Sequence, residues 1–131
     1  MLEELADAYE AARRDDPEHG DPLFSRHSFL ARTEGQARRD GFELVTMRAG
    51  DRLAGFGFGF PFGVGRWWAD ADQPPEQILA ASEFAVIELD VLPAYRGRGW
   101  AKALLRMLLG ERREAYATLA AHARLPSAGH V

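Results

Sequence analysis

The sequence predicts a small layered α/β or α+β domain with a mixed sheet, on three observations. Apolar residues recur at helical spacing in some stretches and with a period of two in others. The stretch "FELVTMRAGDRLAGFGFGFPF", residues 42–62, reads as two strands joined by a tight turn. Helical and strand patterns succeed one another in the order α-α-β-β-(α)-β-α-β, as expected for helices packed on a sheet. The 131 residues allow one domain with a modest core and not two. No internal repeat or low-complexity linker divides them.

Residues 2–14 place Leu2, Leu5, Ala6, Tyr9 and Ala12 on one helical face. Acids early and Arg13 and Arg14 late suit the helix dipole. "DDPEHGDP" breaks the chain, and Asp21 followed by Pro22 predicts the N-cap and first turn of a second helix through Leu23, His27, Leu30 and Ala31. Gly35 weakens its far end and "RRDG" closes it. In the hairpin, the turn falls at Ala49, Gly50 and Asp51. Its second strand alternates Gly55, Gly57 and Gly59 with Phe56, Phe58 and Phe60, so one face is aromatic and the other bare. The aromatic face is expected in the core, and the bare face admits close approach by a ligand or a neighbouring backbone.

Residues 61–73 read as a loop whose Trp67 and Trp68 either line a pocket or cover a hydrophobic edge, the second being favoured. Pro74 and Pro75 start a short helix reaching Ser82, and residues 83–92 form the next strand. A helix from Gly99 to Leu109 turns Ala101, Leu104, Leu105 and Leu108 to one side. "AYATLAAHA" is expected as a last strand and "RLPSAGHV" as a tail.

The bulk numbers exclude several classes of function. An apolar fraction of 47% with 27% charged residues is ordinary for a soluble globular chain. A net charge of −4 argues against binding nucleic acid or an anionic membrane through bulk charge. The absence of cysteine removes disulfides, thiolate metal sites and cysteine nucleophiles, and fits a reducing cytoplasm. His19, His27, His122 and His130 have no short ligand spacing, so no metal site is expected. His122, on the expected last strand, is read as a half-buried sheet residue. Residues 1–20 carry acids and arginines where a signal peptide would have an apolar centre, and no window approaches a membrane span. A cytoplasmic location is expected.

The local concentration of positive charge lies at "PAYRGRGWAKALL", residues 93–105, where a strand hands over to a helix. A helix start offers unpaired N–H groups and the positive end of the dipole, which favour an anion. Glycines let the backbone approach a phosphate and form a nest of donors. Arg96, Arg98 and Lys102 add full charge, continued by Arg106, Arg112 and Arg113. A Walker A loop needs four residues between its glycines and then Gly-Lys-Ser/Thr, which is absent. A dinucleotide fingerprint needs a third glycine, which is also absent. An ordinary helix entry with solvated arginines is the structural alternative.

The pattern Arg/Gln-x-x-Gly-x-Gly/Ala does fit, as Arg96-Gly97-Arg98-Gly99-Trp100-Ala101 directly after an apolar strand ending in "VLP". "ELDVLPAYRGRGWAKALLRMLL" thereby resembles the acetyl-CoA site of the GNAT superfamily of N-acetyltransferases, with good agreement over residues 84–122. The resemblance implies a mixed, mainly antiparallel sheet flanked by helices. The family's first strand has no counterpart, and the chain stops where its C-terminal helix and hairpin would follow. Residues 1–131 are therefore expected to be a single GNAT-like domain, incomplete at the C-terminus. By resemblance, Arg96, Gly97, Arg98, Gly99, Trp100, Ala101 and Lys102 bind the CoA diphosphate. Leu89 and Val91 pair their backbone with the pantetheine arm, and N–H groups near them polarise the thioester oxygen.

Acetyl transfer to an amine also needs a base for the amine proton. Glu88 and Asp90 lie on the strand before the loop and share a face if alternation holds. Glu88 sits where some family members carry a catalytic glutamate and is the first choice, with Asp90 second and Glu83 too far away. The alternative is a pair of carboxylates facing solvent or an arginine. Tyr9, Tyr95 and Tyr116 do not occupy the place of the family's proton-donating tyrosine, so the general acid is unassigned. The expected function is acetyl-CoA-dependent transfer to a primary amine, with a non-catalytic acyl-CoA-binding module and an unrelated phosphate-binding domain as rivals. Net acidity tolerates a cationic acceptor such as a polyamine or aminoglycoside, and a peptide N-terminus is equally allowed. An incomplete sheet edge favours a homodimer.

Overall fold

The computed structural model describes residues 1–16, 20–69 and 71–119. The elements are α1 (Leu2–Ala12), α2 (Arg26–Gln36), β1 (Glu43–Ala49), β2 (Arg52–Phe62), α3 (Glu76–Leu79), β3 (Glu83–Val91), α4 (Trp100–Leu109) and β4 (Tyr116–Leu119). The strands lie in the order β1-β2-β3-β4. The first three are antiparallel and β4 runs parallel to β3, giving the mixed, mainly antiparallel sheet expected. His19, His122, His130, the end of the expected last strand and the tail lie outside the described residues.

Two boundaries and one buried face differ from expectation. α1 ends at Ala12, and Arg13 becomes its C-cap, buried rather than solvated. Asp21 does accept an N–H bond from Leu23, at 2.9 Å, but the turn it caps is a three-residue 3₁₀ segment, Pro22–Phe24. The chain then returns to extended backbone at Ser25, whose hydroxyl accepts from the N–H of Ser28 at 3.1 Å and starts α2. A serine cap four residues downstream of Asp21 wins over the Asp-Pro signal. In α4 the buried residues are Leu104 and Leu108, while Ala101 is exposed beside the loop.

The Phe/Gly alternation of β2 divides the core. On one face Phe56 and Phe58 are fully buried beneath Tyr9 of α1 and Phe29 of α2. Tyr9 stacks on Phe29 with centroids 4.3 Å apart. Burying each such ring is worth about 1.5–3 kcal/mol. On the other face α4 lays Leu108 against Phe84 and Val86. The bare glycine side of β2 serves this packing. A Cβ at Gly55 would stand 3.2 Å from Leu104 Cδ1, and one at Gly59 would stand 2.1 Å from the carbonyl oxygen of Ala85. Neighbouring protein, rather than a ligand, uses the space there.

In the loop after β2, Trp68 packs edge-on against Phe62 at 5.1 Å and donates from Nε1 to Thr118 Oγ1 at 2.8 Å. It closes the hydrophobic edge, as favoured. Trp67 donates to the carbonyl of Asp72.

β3 contains the feature that positions the site. Glu88 stands opposite Phe58 and Val86 opposite Gly59, so Ile87 is an extra residue in the pairing. A bulge of this kind puts two successive side chains on one face. Ile87 packs on the Phe29–Phe58 side, and Glu88 reaches Arg13 on that same side.

Candidate active site

Two edges of β3 behave differently along its length. Pairing with β4 joins Glu83–Val86 to Tyr116–Leu119. Among the described residues, nothing pairs with the β4 side of residues 87–91. Leu92 donates its N–H to Ala54 on β2 at 2.9 Å. Antiparallel alternation from that point turns the N–H and C=O groups of Leu89 and Val91 toward the open edge. The Val91 carbonyl is taken by Arg96 Nε at 2.9 Å. Among the described residues, Leu89 N–H, Leu89 C=O and Val91 N–H have no partner on that edge.

Directly after this edge, Pro93–Tyr95 forms a 3₁₀ turn and the chain reaches the glycine loop. Gly97 and Gly99 both have φ near +80° (77° and 80°), a conformation glycine adopts without strain. Gly99 caps α4, whose first intrahelical bond is donated by Ala103 to Gly99 at 3.1 Å. Among the described residues, the N–H groups of residues 97–102 therefore have no backbone acceptor. Arg98 and Lys102 are exposed and make no ion pair among those residues. Trp100 stacks on Tyr95 at 5.1 Å and fixes the turn against the helix.

Arg96, expected at the diphosphate, is also held by the fold. Its guanidinium donates to Val91 O and, at 2.6 Å, to Ala12 O at the end of α1, and its N–H goes to Pro93 O. The side chain ties α1 to the end of β3 through two neutral carbonyl acceptors. Arg112 is likewise committed, to Glu114 and Glu43.

A cavity of about 220 Å³ adjoins the open edge, lined by Tyr9, Arg13, Arg32, Glu88 and Asp90 among apolar neighbours. Glu88 and Asp90 share a face, as alternation within 88–90 requires. Arg13 lies between them, 3.2 Å from Glu88 Oε1 and 3.1 Å from Asp90 Oδ2. The Arg13 guanidinium also covers the Tyr9 ring, 3.7 Å from its centroid. Asp90 is 1% exposed and Glu88 11%, so Glu88 alone of the two reaches the cavity appreciably. Burial, followed by the charge of Asp90, pushes the Glu88 carboxyl well above the usual carboxylate range, against the pull of Arg13 and Arg32. Burial works against the Arg13 cation, but Asp90 and Glu88 more than offset it and its pKa is raised. The Tyr9 hydroxyl is pushed up by burial. Glu83, at the far end of β3, is fully buried, has no hydrogen-bond partner among the described residues and does not line the cavity.

Tyr9, Arg13 and Arg32 were not among the expected site residues. Only the buried side of α1, with a tyrosine one turn before an arginine, hinted at them. Among the described residues, no cluster of histidine, aspartate and glutamate is arranged to hold a metal ion, and no helix is long and apolar enough to cross a membrane.

Comparison with known proteins bears on the same geometry. The fold matches an aminoglycoside N-acetyltransferase solved with CoA, at TM-score 0.64 and 15% identity over 98% of this chain and 76% of the other. It matches a ribosomal-protein-alanine N-acetyltransferase from Brucella melitensis biovar Abortus 2308, at TM-score 0.57 and 20% identity over 98% and 78%. A transcriptional regulator from Bacillus halodurans C-125 has TM-score 0.68 at 13% identity, over 99% and 83%. At these identities the likeness concerns the fold. A search of curated proteins finds no sequence relative. The model of the acetyltransferase (GNAT) family matches residues 2–127. That match, over nearly the whole length of the chain, leads to one conclusion: this chain belongs to the GNAT family of acetyltransferases.

Proposed function

We propose that this chain transfers acetyl from acetyl-CoA to a primary amine by direct attack in a ternary complex. One observation carries the reading: the free N–H groups of residues 97–102 follow directly on the open edge of β3, which borders the cavity holding Glu88. Gly97, Arg98, Gly99, Trp100, Ala101 and Lys102 would hold the diphosphate through the main chain, with the charge of Arg98 and Lys102 behind it. Leu89 and Val91 would receive the pantetheine arm as an added strand. When bound, acetyl-CoA supplies a thioester carbonyl open to nucleophilic attack.

The residues of the chain do the rest. Glu88 accepts the proton of the attacking amine, directly or through water, and its raised pKa brings it nearer to the working range of a base at neutral pH. As the C–N bond forms the thioester C–S bond would break, CoA leaving as a thiolate that takes its proton from solvent. Asp90 is too buried for that part and holds Arg13 in place. A main-chain N–H at the open edge, that of Leu89 or Val91, polarises the thioester oxygen. Fixing both reactants beside one another contributes on the order of 7–11 kcal/mol to lowering the barrier.

Isothermal titration with CoA tests the reading; no heat at high micromolar CoA would refute it. A second reading, a non-catalytic acyl-CoA-binding module, draws on the grip of Arg13 on Glu88. It requires CoA binding without thiol release against any amine.

A further inference from the structure

Resting on that reading, we infer that the acceptor is a small α-amino-acid-like amine whose carboxylate is bound by Arg32. Polycationic amines are the wrong class for this cavity.

The cavity contains two carboxylates and two guanidinium groups, and they are not equivalent. Arg13 lies within 3.2 Å of both Glu88 and Asp90 and is itself 7% exposed. The two negative charges thus share an internal counter-ion at hydrogen-bond distance. Arg32 is placed differently. Its side chain is 29% exposed, and its nearest carboxylate oxygen, Glu88 Oε2, is 3.8 Å away, beyond hydrogen bonding. Its hydrogen bonds go to neutral acceptors, the Leu23 carbonyl at 3.0 Å and the Tyr9 hydroxyl at 2.7 Å. A guanidinium has five N–H donors in a fork that fits a carboxylate, and these two bonds leave most of them unused. Arg32 is therefore the cation in the cavity with hydrogen-bond donors still to offer, while its charge also faces Glu88 across 3.8 Å.

That cation has the sign opposite to the bulk charge of −4. The acids on the outer side of α1 do not neutralise it, since Glu3, Asp7 and Glu10 are engaged by Arg26 and Glu4 by Arg48. A second ammonium group entering the cavity would meet Arg32 and, among the described residues, find Asp90 bonded to Arg13 and Glu88 held between Arg13 and Arg32. The volume of about 220 Å³ lies below that of pockets for drug-sized ligands, and Leu23, Phe24, Ile87, Leu89 and Leu119 make the remaining wall apolar. An amine, a carboxylate and an apolar side chain on one small molecule match this set of groups.

The test titrates L-leucine, L-leucinamide and spermidine into the full chain, with and without CoA. Leucinamide lacks only the carboxylate, so the wild-type protein alone answers the question. Leucine is expected to bind about 10- to 100-fold more tightly than leucinamide, the range of a lost charge-assisted hydrogen bond, with spermidine weakest. Arg32→Met should erase the preference without changing CoA affinity, and Arg32→Lys should restore part of it. Equal binding of leucine and leucinamide, tighter binding of spermidine, or no leucine binding at high millimolar concentration would overturn the proposal. Absence of CoA binding would strike the preceding reading alone, because the leucine and leucinamide comparison is also made without CoA.

Discussion

The two halves of β3 are built from the same kind of residues and do opposite things. Glu83–Val86 is hydrogen-bonded on both sides, to β2 and β4, and Gly59 beside it leaves no space for a Cβ. Among the described residues, 87–91 are held on the β2 side only, and their other edge runs into a loop whose glycines would meet nothing within 4 Å if they carried a Cβ. Glycine in the first half is a matter of volume; in the loop it is a matter of backbone angle. Closed pairing gives the sheet its strength, and leaving one edge unpaired gives it a place to bind.

Substitutions on each side separate these demands. Arg13→Met removes the counter-ion of the open half and leaves Glu88 and Asp90 buried together, which should cost about 3–5 kcal/mol at neutral pH. Urea denaturation at two pH values checks it, with a smaller loss expected once the carboxylates are protonated. In the closed half, Gly59→Ala drives a methyl into the Ala85 carbonyl, and about 3 kcal/mol of stability should be lost. A midpoint unchanged in denaturant would show that the strands can part there after all.

Gly97→Val and Gly99→Val should cost only about 1–2 kcal/mol each, from the positive φ rather than from crowding. Calorimetry should nevertheless find CoA binding abolished. Retained affinity would break the contrast between the two sets of glycines.

Glu88→Gln should change stability least. The folded carboxyl titrates above its unfolded value, so the charge is a burden on the native state that grows as pH rises from about 4.5 through the raised pKa. The amide escapes that loss, and its melting temperature above this range should equal or exceed that of wild type. Acetyl transfer should fall roughly 10²–10⁴-fold and lose its rise with pH through the Glu88 titration. Rates that follow wild type across pH would remove Glu88 as the base.

The sequence disclosed what is local. The hairpin, the Phe/Gly division of β2 and the strand–loop–helix passage at residues 83–109 are written in neighbouring residues with a fixed period. Glu88 and Asp90 are legible because they lie three residues and one residue before "VLP". Arg13 was read as a dipole-suited helix end because nothing near it in sequence announces partners 75 and 77 residues away. Arg32 and Tyr9 were missed for the same reason. Arg96 looked like a phosphate ligand by motif, yet two carbonyl groups claim its side chain. The bulge was invisible, since "FAVIELDV" is an equally good strand with or without a slip.

That slip turns β3 into a ruler. Phe84 and Val86 must point toward α4, while Glu88 and Asp90 must point toward Arg13, and uninterrupted alternation would put all four on one side. The single surplus residue at Ile87 reconciles the two requirements. The strand can therefore exchange letters far more freely than it can change its count: excising one residue would either drive charge into the oily layer beneath α4 or swing the base away from its substrate.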